Sequence, residues 1–157
     1  VSPLAELFLY EADRIQHTAQ VIRPALEAGK HVLCDRFFDS TTAYQAFGRG
    51  LPLALVEELN LQATGGLLPG MTLLFETPIE EGLRRARGGN RGDRLEEESL
   101  AFHERVWAGF SELARKEPGR FRLIPVGTIE EVHARVLEAV TKEFGWVGDS
   151  FRAKTRP

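Results

Sequence analysis

Short apolar runs, each separated from the next by segments with helical periodicity, constrain the fold of this chain more than any other feature. The runs are His31–Cys34, Met71–Phe75 and Phe121–Ile124. The continuous apolar character of Met71–Phe75 is typical of a strand covered on both faces. Strands that alternate with helices predict an α/β domain with a parallel sheet flanked by helices.

The intervening segments predict the helices. The first helix covers about residues 3–28, and Pro24 either kinks it or divides it in two. Further helices are predicted at about 40–47, 52–63 and 96–115. Another follows Thr77, and Thr128 with Glu131 caps a last one. The apolar residues that repeat along the first helix are Leu4, Phe8, Ile15, Ala19, Ile22 and Leu26.

Length and charge exclude several classes of protein. The 157 residues predict one domain over 1–144, with a tail at 145–157 that we expect to be a loop or partly disordered. The net charge of −3 lacks the basic excess of a nucleic-acid-coating protein, so we expect no nucleic-acid partner. With no run of about 18 apolar residues we expect no membrane partner. A single cysteine, Cys34, fits a cytoplasmic protein, and its place in an apolar run favours a buried structural thiol over a catalytic one.

Asp35 and Arg36 follow the first predicted strand directly. Ligands of parallel α/β domains bind at the carboxyl ends of strands. There a carboxylate can hold a metal or its water shell, and an arginine can bind a phosphate through paired hydrogen bonds. A local ion pair that closes the strand is the alternative.

The next predicted helix carries two polar pairs. Thr41 and Gln45 are four residues apart and share a face, where a hydroxyl and an amide suit the polar edge of a base. Ser40 and Tyr44 form the adjacent pair. The alternative is a solvated helix with Tyr44 in the core.

Tyr10 and Arg14 repeat this spacing on the first helix. An aromatic face can stack a ring, and a guanidinium can reach a ring carbonyl. A surface Arg14 beside a half-buried Tyr10 explains the pair equally well.

A basic, Gly-rich loop carries five arginines within eleven residues, at positions 84, 85, 87, 91 and 94. Phosphoryl transfer depends on positioning and charge neutralisation, which a closing lid at about 84–96 would supply. The alternative is a solvated loop partly neutralised by Glu96–Glu98. The four histidines show no metal-ligand spacing, and we interpret them as structural or surface residues.

Several stretches together resemble thymidylate kinase of the bacterial type, the family that phosphorylates dTMP to dTDP. They are "LFLYEADRIQH", "VIRPALEAGKHVLCDRFFDSTTAYQAFGRGL", "LLPGMTLLFETPIEEGLRRAR", "DRLEEESLAFHERVWAGF" and "ARKEPGRFRLIPV". The resemblance implies a P-loop nucleoside monophosphate kinase-like fold, ATP with Mg²⁺, and a homodimer. Another nucleotide kinase remains an alternative.

The resemblance also implies how the acceptor binds. Tyr10 would stack on thymine and Arg14 would bond its carbonyl. Thr41 and Gln45 would contact the polar edge of the base, and Tyr44 would lie beside the sugar, with Ser40 next to it.

For the chemistry, the resemblance implies that Asp35 lies near magnesium, directly or through water, and that Arg36 binds the dTMP phosphate. One of Arg87, Arg91 and Arg94 would stabilise the moving phosphoryl group. Val126 would lie near the adenine of ATP.

One part of the family pattern does not occur in this sequence. The Gly-rich phosphate loop with its lysine and the strands around it are absent, so the fold we expect lacks the N-terminal strands. We expect an incomplete record of a longer protein, since the chain starts at Val1. A truncated gene, or an inert dTMP-binding or structural remnant, is the alternative. Gly70, Glu76 and Pro125–Gly127 also depart from the pattern.

Overall fold

The structure, a computed structural model, describes residues 1–87 and 98–145, without the side chains of 85–87. Seven α-helices, two π-helical segments and two strands occupy this part of the chain. In order they are α1 (Pro3–His17), the first π segment (Thr18–Ile22), α2 (Arg23–Glu27), α3 (Phe38–Thr41), the second π segment (Thr42–Gly48), α4 (Leu53–Thr64), β1 (Thr72–Glu76), α5 (Ile79–Arg87), α6 (Leu100–Lys116), β2 (Phe121–Pro125) and α7 (Ile129–Phe144).

The first predicted helix is present and is divided as Pro24 suggested. The first π segment separates α1 from α2, and the backbone N–H of Arg23 donates to the Thr18 carbonyl five residues earlier. Proline has no N–H to continue the regular α pattern. The wider π turn therefore carries the helical run past Pro24 to Glu27.

The two strands are parallel and in register from Thr72 opposite Phe121 to Glu76 opposite Pro125. The prediction of a strand at His31–Cys34 is wrong for this structure. Within residues 1–87 and 98–145 that segment has no strand partner, and Leu33 is 89% exposed. A strand needs neighbouring backbone groups to bond, so this apolar run forms no strand and remains largely exposed.

Three apolar clusters pack the helices on one another and on the sheet. The first joins α1 to α4 through Leu7 and Val56, with Ala46 of the second π segment between them. The second packs that segment on α6, and the third packs α6 on the sheet. Their remaining buried members are Ala43, Phe102, Val106, Leu74, Leu113 and Phe121. The second π segment therefore lies between α1 and α6.

The ends of α6 and α7 follow from capping. Ser99 accepts a hydrogen bond from the backbone N–H of Phe102, so α6 begins at Leu100. The predicted capping box of Thr128 and Glu131 is confirmed at the start of α7. The predicted tail at 145–157 lies outside the described residues except for Gly145, which caps the end of α7. In the described ranges no helix combines the length and the hydropathy that a bilayer crossing needs.

Candidate functional site

A cavity of about 210 Å³ lies between α1 and the segment that runs from Arg36 to Gln45. Seven of its lining residues are the side chains that the sequence predicted to bind substrate. These are Tyr10, Arg14, Arg36, Ser40, Thr41, Tyr44 and Gln45. Asp13, His17 and Phe37 complete the lining and were not predicted.

The α1 wall of the cavity is one helical face. Tyr10, Asp13, Arg14 and His17 follow the spacing of three, four and seven residues that places side chains on the same side of a helix. This spacing could have shown that His17 belongs with Tyr10 and Arg14, although we interpreted it as structural or surface. Tyr10 is 40% exposed, which leaves part of its ring open to a ligand.

The Arg14 guanidinium connects the two walls. Its Nη2 donates a hydrogen bond to Thr41 Oγ1, and its carbon lies 5.1 Å from the centre of the Phe37 ring. Its Nε lies 3.4 Å from Glu11 Oε2, an ion pair whose geometry falls short of a hydrogen bond. Glu11 is only 4% exposed, and this burial raises the pKa of its carboxyl although the Arg14 charge opposes the shift. Sequence patterns gave no signal of Glu11.

Gln45 is fixed from the side of α1. It is 1% exposed, and its Nε2 donates to Glu6 Oε1 at 2.9 Å. Arg49 donates to the same Glu6 oxygen at 3.3 Å and to Glu98. A carboxylate accepts but does not donate, so Glu6 determines which end of the Gln45 amide faces it.

Arg36 has an unusual backbone conformation. Its φ is +63°, the one positive value among the described residues other than glycine. Side chains cost roughly 1–2 kcal/mol in this left-handed region. The Arg36 guanidinium lies over the Tyr44 ring at 5.3 Å. Tyr44 in turn makes edge contacts with Phe102 and Phe110, so it both lines the cavity and packs on the core.

Asp35 lies beside the cavity but does not line it. It is exposed and forms no ion pair with Arg36, so the simple ion-pair alternative does not hold within the described residues. The prediction that Cys34 is buried is wrong, because its segment has no strand to cover it. The Cys34 thiol donates to the Arg36 carbonyl at 3.3 Å, and desolvation raises its pKa, which disfavours the reactive thiolate.

The residues of the predicted lid lie largely outside the part of the chain that the structure describes. Arg91 and Arg94 fall within 88–97, and only the backbone of Arg87 is described, at the end of α5. Arg84 is exposed, 4.0 Å from Glu81. Val126 follows β2 and is 37% exposed, with its carbonyl bonded by Arg135 at 3.0 Å. The structure does not bring Val126 into the cavity.

The chain is similar to known proteins over most of its length. The profile of the family described as thymidylate kinase matches residues 1–136. The chain belongs to the thymidylate kinase family. The family is one of nucleoside monophosphate kinases, and the chain has the helix-rich parallel α/β fold of that group.

Individual thymidylate kinases are similar over most of the chain. The enzyme of Gloeobacter violaceus is 50% identical over 146 residues, which cover 92% of this chain and 69% of the relative. The thymidylate kinase of a Synechococcus strain is 54% identical over 140 residues, which cover 88% of this chain and 66% of the relative. The crystal structure of thymidylate kinase from Ehrlichia chaffeensis superposes with a TM-score of 0.71 at 29% identity, covering 90% of this chain and 66% of that one. The chain thus spans about two thirds of the length of these relatives.

Proposed function

We propose that the protein phosphorylates dTMP to dTDP with ATP as the phosphoryl donor. Membership of the thymidylate kinase family supports the reaction class. The observation that carries the proposal is the single cavity in which all seven predicted substrate residues meet. These residues come from α1 and from the segment 36–45, which are distant in sequence.

The base is proposed to lie against α1. Tyr10 offers an exposed aromatic face, and stacked rings gain roughly 0.5–1.5 kcal/mol beyond the area that they bury. Arg14 offers N–H donors to a ring carbonyl, since a guanidinium has five and Thr41 takes one of them. Gln45, oriented by Glu6, adds an amide to the polar edge.

The phosphate of dTMP is proposed to bind Arg36, which lines the same cavity. Arg36 is exposed and carries its charge over the Tyr44 ring. A guanidinium can bond two phosphate oxygens at once, which fixes both distance and orientation. Ser40, which also lines the cavity, supplies a hydroxyl donor beside it.

The transfer moves one phosphoryl group. An oxygen of the dTMP phosphate attacks the γ-phosphorus of ATP, the bond to the bridging oxygen breaks, and ADP leaves. Arg36 would hold the attacking phosphate, and one of Arg87, Arg91 and Arg94 would balance the charge of the transferred group. Val126 is proposed to lie near the adenine.

Mg²⁺ is proposed to enter the site with ATP and to be held by the ATP phosphates together with a single carboxylate of the protein. Among the described residues there is no group of three or more His, Cys, Asp or Glu side chains that could hold a metal. Mg²⁺ commonly uses one or two carboxylates together with substrate phosphates. Asp35 is the carboxylate that we propose for it, directly or through water. When bound, Mg²⁺ would neutralise charge on the phosphate oxygens.

We further propose a homodimer in the cytoplasm. The apolar residues that predicted the first helix largely face outward, with Leu4 43%, Phe8 52% and Ile15 50% exposed. The buried face instead carries Leu7, Glu11 and Thr18. An exposed apolar stripe along α1 is a surface that a second copy could cover. The single cysteine suits a reducing compartment.

Binding and turnover test the function separately. Titration calorimetry should show that the protein binds dTMP more tightly than dUMP or dCMP. Incubation with ATP, Mg²⁺ and dTMP should yield dTDP, and ³¹P NMR would monitor its formation. Binding of dTMP without dTDP would favour an inert binding protein, and tighter binding of another nucleotide would favour a different kinase.

A further inference from the structure

Glu11 is a buried acid placed between two cavity residues on α1. It follows Tyr10 directly and precedes Arg14 by three positions, yet it does not line the cavity. It is 4% exposed, and neither of its carboxylate oxygens accepts a hydrogen bond in the described part of the protein. The charged group that acts on it is Arg14, through the 3.4 Å approach of Nε to Oε2.

Folding stability gives no reason for such a group. A buried carboxylate without hydrogen bonds loses its hydration and regains little. The pKa of Glu11 is raised because this desolvation outweighs the attraction of Arg14. A neutral side chain of the same shape would therefore cost the fold less at neutral pH.

Arg14 does have a use for this charge. Among the described residues, Thr41 contacts the guanidinium at Nη2, the Phe37 ring lies at its face and Glu11 lies beside Nε. The contacts to Thr41 and Phe37 tie it to the far wall of the cavity. The carboxylate attracts the neighbouring Nε, so the plane of the guanidinium is determined by contacts at two of its nitrogens and at its face.

We infer that Glu11 is a positioning residue, whose buried charge orients the Arg14 guanidinium for the carbonyl of a pyrimidine base. The inference rests on the proposed function, because it assigns Arg14 to the base of dTMP. Glu11 itself touches no ligand. It acts on affinity through Arg14 alone.

The variant Glu11→Gln tests this by keeping the shape and removing the charge. We expect the Kd for dTMP to rise about tenfold, as for a weakened hydrogen bond to a charged group. The Kd for thymidine, which lacks the phosphate, should rise by the same factor, since Arg14 acts on the base. The melting temperature should not fall. Glu57→Gln, which changes an exposed glutamate on α4, should alter neither affinity nor stability.

A second measurement reports on Arg14 without any ligand. The Nε–H proton of Arg14 should exchange with water faster in Glu11→Gln than in the unaltered protein or in Glu57→Gln, as read by NMR. Glu11→Asp keeps the charge on a shorter side chain and should restore part of the dTMP affinity that Glu11→Gln loses.

Each other outcome has a distinct meaning. Unchanged dTMP affinity in Glu11→Gln, while the unaltered protein binds dTMP, would overturn the role of Glu11 and leave the proposed function intact. Parallel losses of melting temperature and affinity would show a merely structural residue and overturn it as well. Failure of the unaltered protein to bind dTMP would overturn both proposals together.

Discussion

Arg120 and Asp39, 81 positions apart, form a buried two-pronged ion pair, with Nη1–Oδ2 at 2.7 Å and Nη2–Oδ1 at 2.8 Å. Arg120 Nη1 also donates to Thr72 Oγ1 at 2.7 Å. Thr72 begins β1, and Arg120 directly precedes β2. Asp39 lies on α3 next to Ser40 and Thr41 of the cavity. This contact therefore fastens the candidate site to the start of the sheet.

Replacing Asp39 by alanine should destabilise the protein. The change removes two hydrogen bonds from the Arg120 guanidinium, which is 9% exposed and keeps its pair with Glu117, so we expect a loss of about 1.5–3 kcal/mol, less than for a buried charge left without any partner. Urea denaturation followed by circular dichroism would measure the loss. Glu112→Gln, which breaks the exposed pair with Arg115, is the matched control and should leave the midpoint almost unchanged. Equal midpoints for both variants would contradict the importance of the buried pair.

A second prediction concerns the contact between α6 and the second π segment. A Cβ on Gly109 would lie 2.8 Å from two ring atoms of Phe47. Gly109→Ala should therefore lower the free energy of unfolding by about 1–3 kcal/mol, as overpacking does. Gly119 has nothing within 4 Å of the added atom, so Gly119→Ala is the control. Comparable melting temperatures for the two variants would show that the helices separate without cost.

Much of the fold could be predicted because its signals are local. The periodic side chains between residues 96 and 115 predicted a helix with Phe102, Val106, Phe110 and Leu113 on one side. In the structure Phe110 is half-buried and the other three are buried. The capping box at Thr128 uses residues three positions apart. Short-range patterns of this kind are set by the geometry of a single helix.

The features that the sequence did not reveal depend on distant partners. His31–Cys34 has strand-like residues, but a strand forms only beside another strand. Likewise Glu11 and Arg120 have charged side chains that suggest exposure, and long-range packing buries them. The outward direction of Leu4 and Phe8 also depends on what covers the opposite face of α1. In the candidate site, the paired spacings on two helices predicted the substrate residues, whereas Asp13, His17 and Phe37 were missed.

Two substitutions of Arg36 should separate its effect on stability from its effect on binding. Its φ of +63° is readily adopted by glycine but is sterically strained for alanine. The free energy of unfolding of Arg36→Gly should therefore be about 1 kcal/mol higher than that of Arg36→Ala. Thermal denaturation of the two variants would measure this difference.

Both Arg36 variants lose the guanidinium, so both should bind dTMP more weakly, by about tenfold or more, yet bind thymidine as the unaltered protein does. Calorimetry with the two ligands separates these effects. Weaker binding of thymidine would mean that Arg36 shapes the base end of the cavity rather than the phosphate end.

The raised pKa of Glu11 predicts a specific pH dependence of stability. Between the ordinary carboxyl pKa and the raised one, the folded state holds a proton on Glu11 that the unfolded state has lost. Stability must then fall as the pH rises through this window. Glu11→Gln cannot titrate, so it should match the unaltered protein at low pH and exceed its stability at neutral pH. Urea denaturation of both proteins across the acidic range measures the difference, in which all other carboxyl groups cancel. A difference that grows in favour of Glu11 with rising pH would show that Arg14 holds the carboxylate more strongly than burial opposes it.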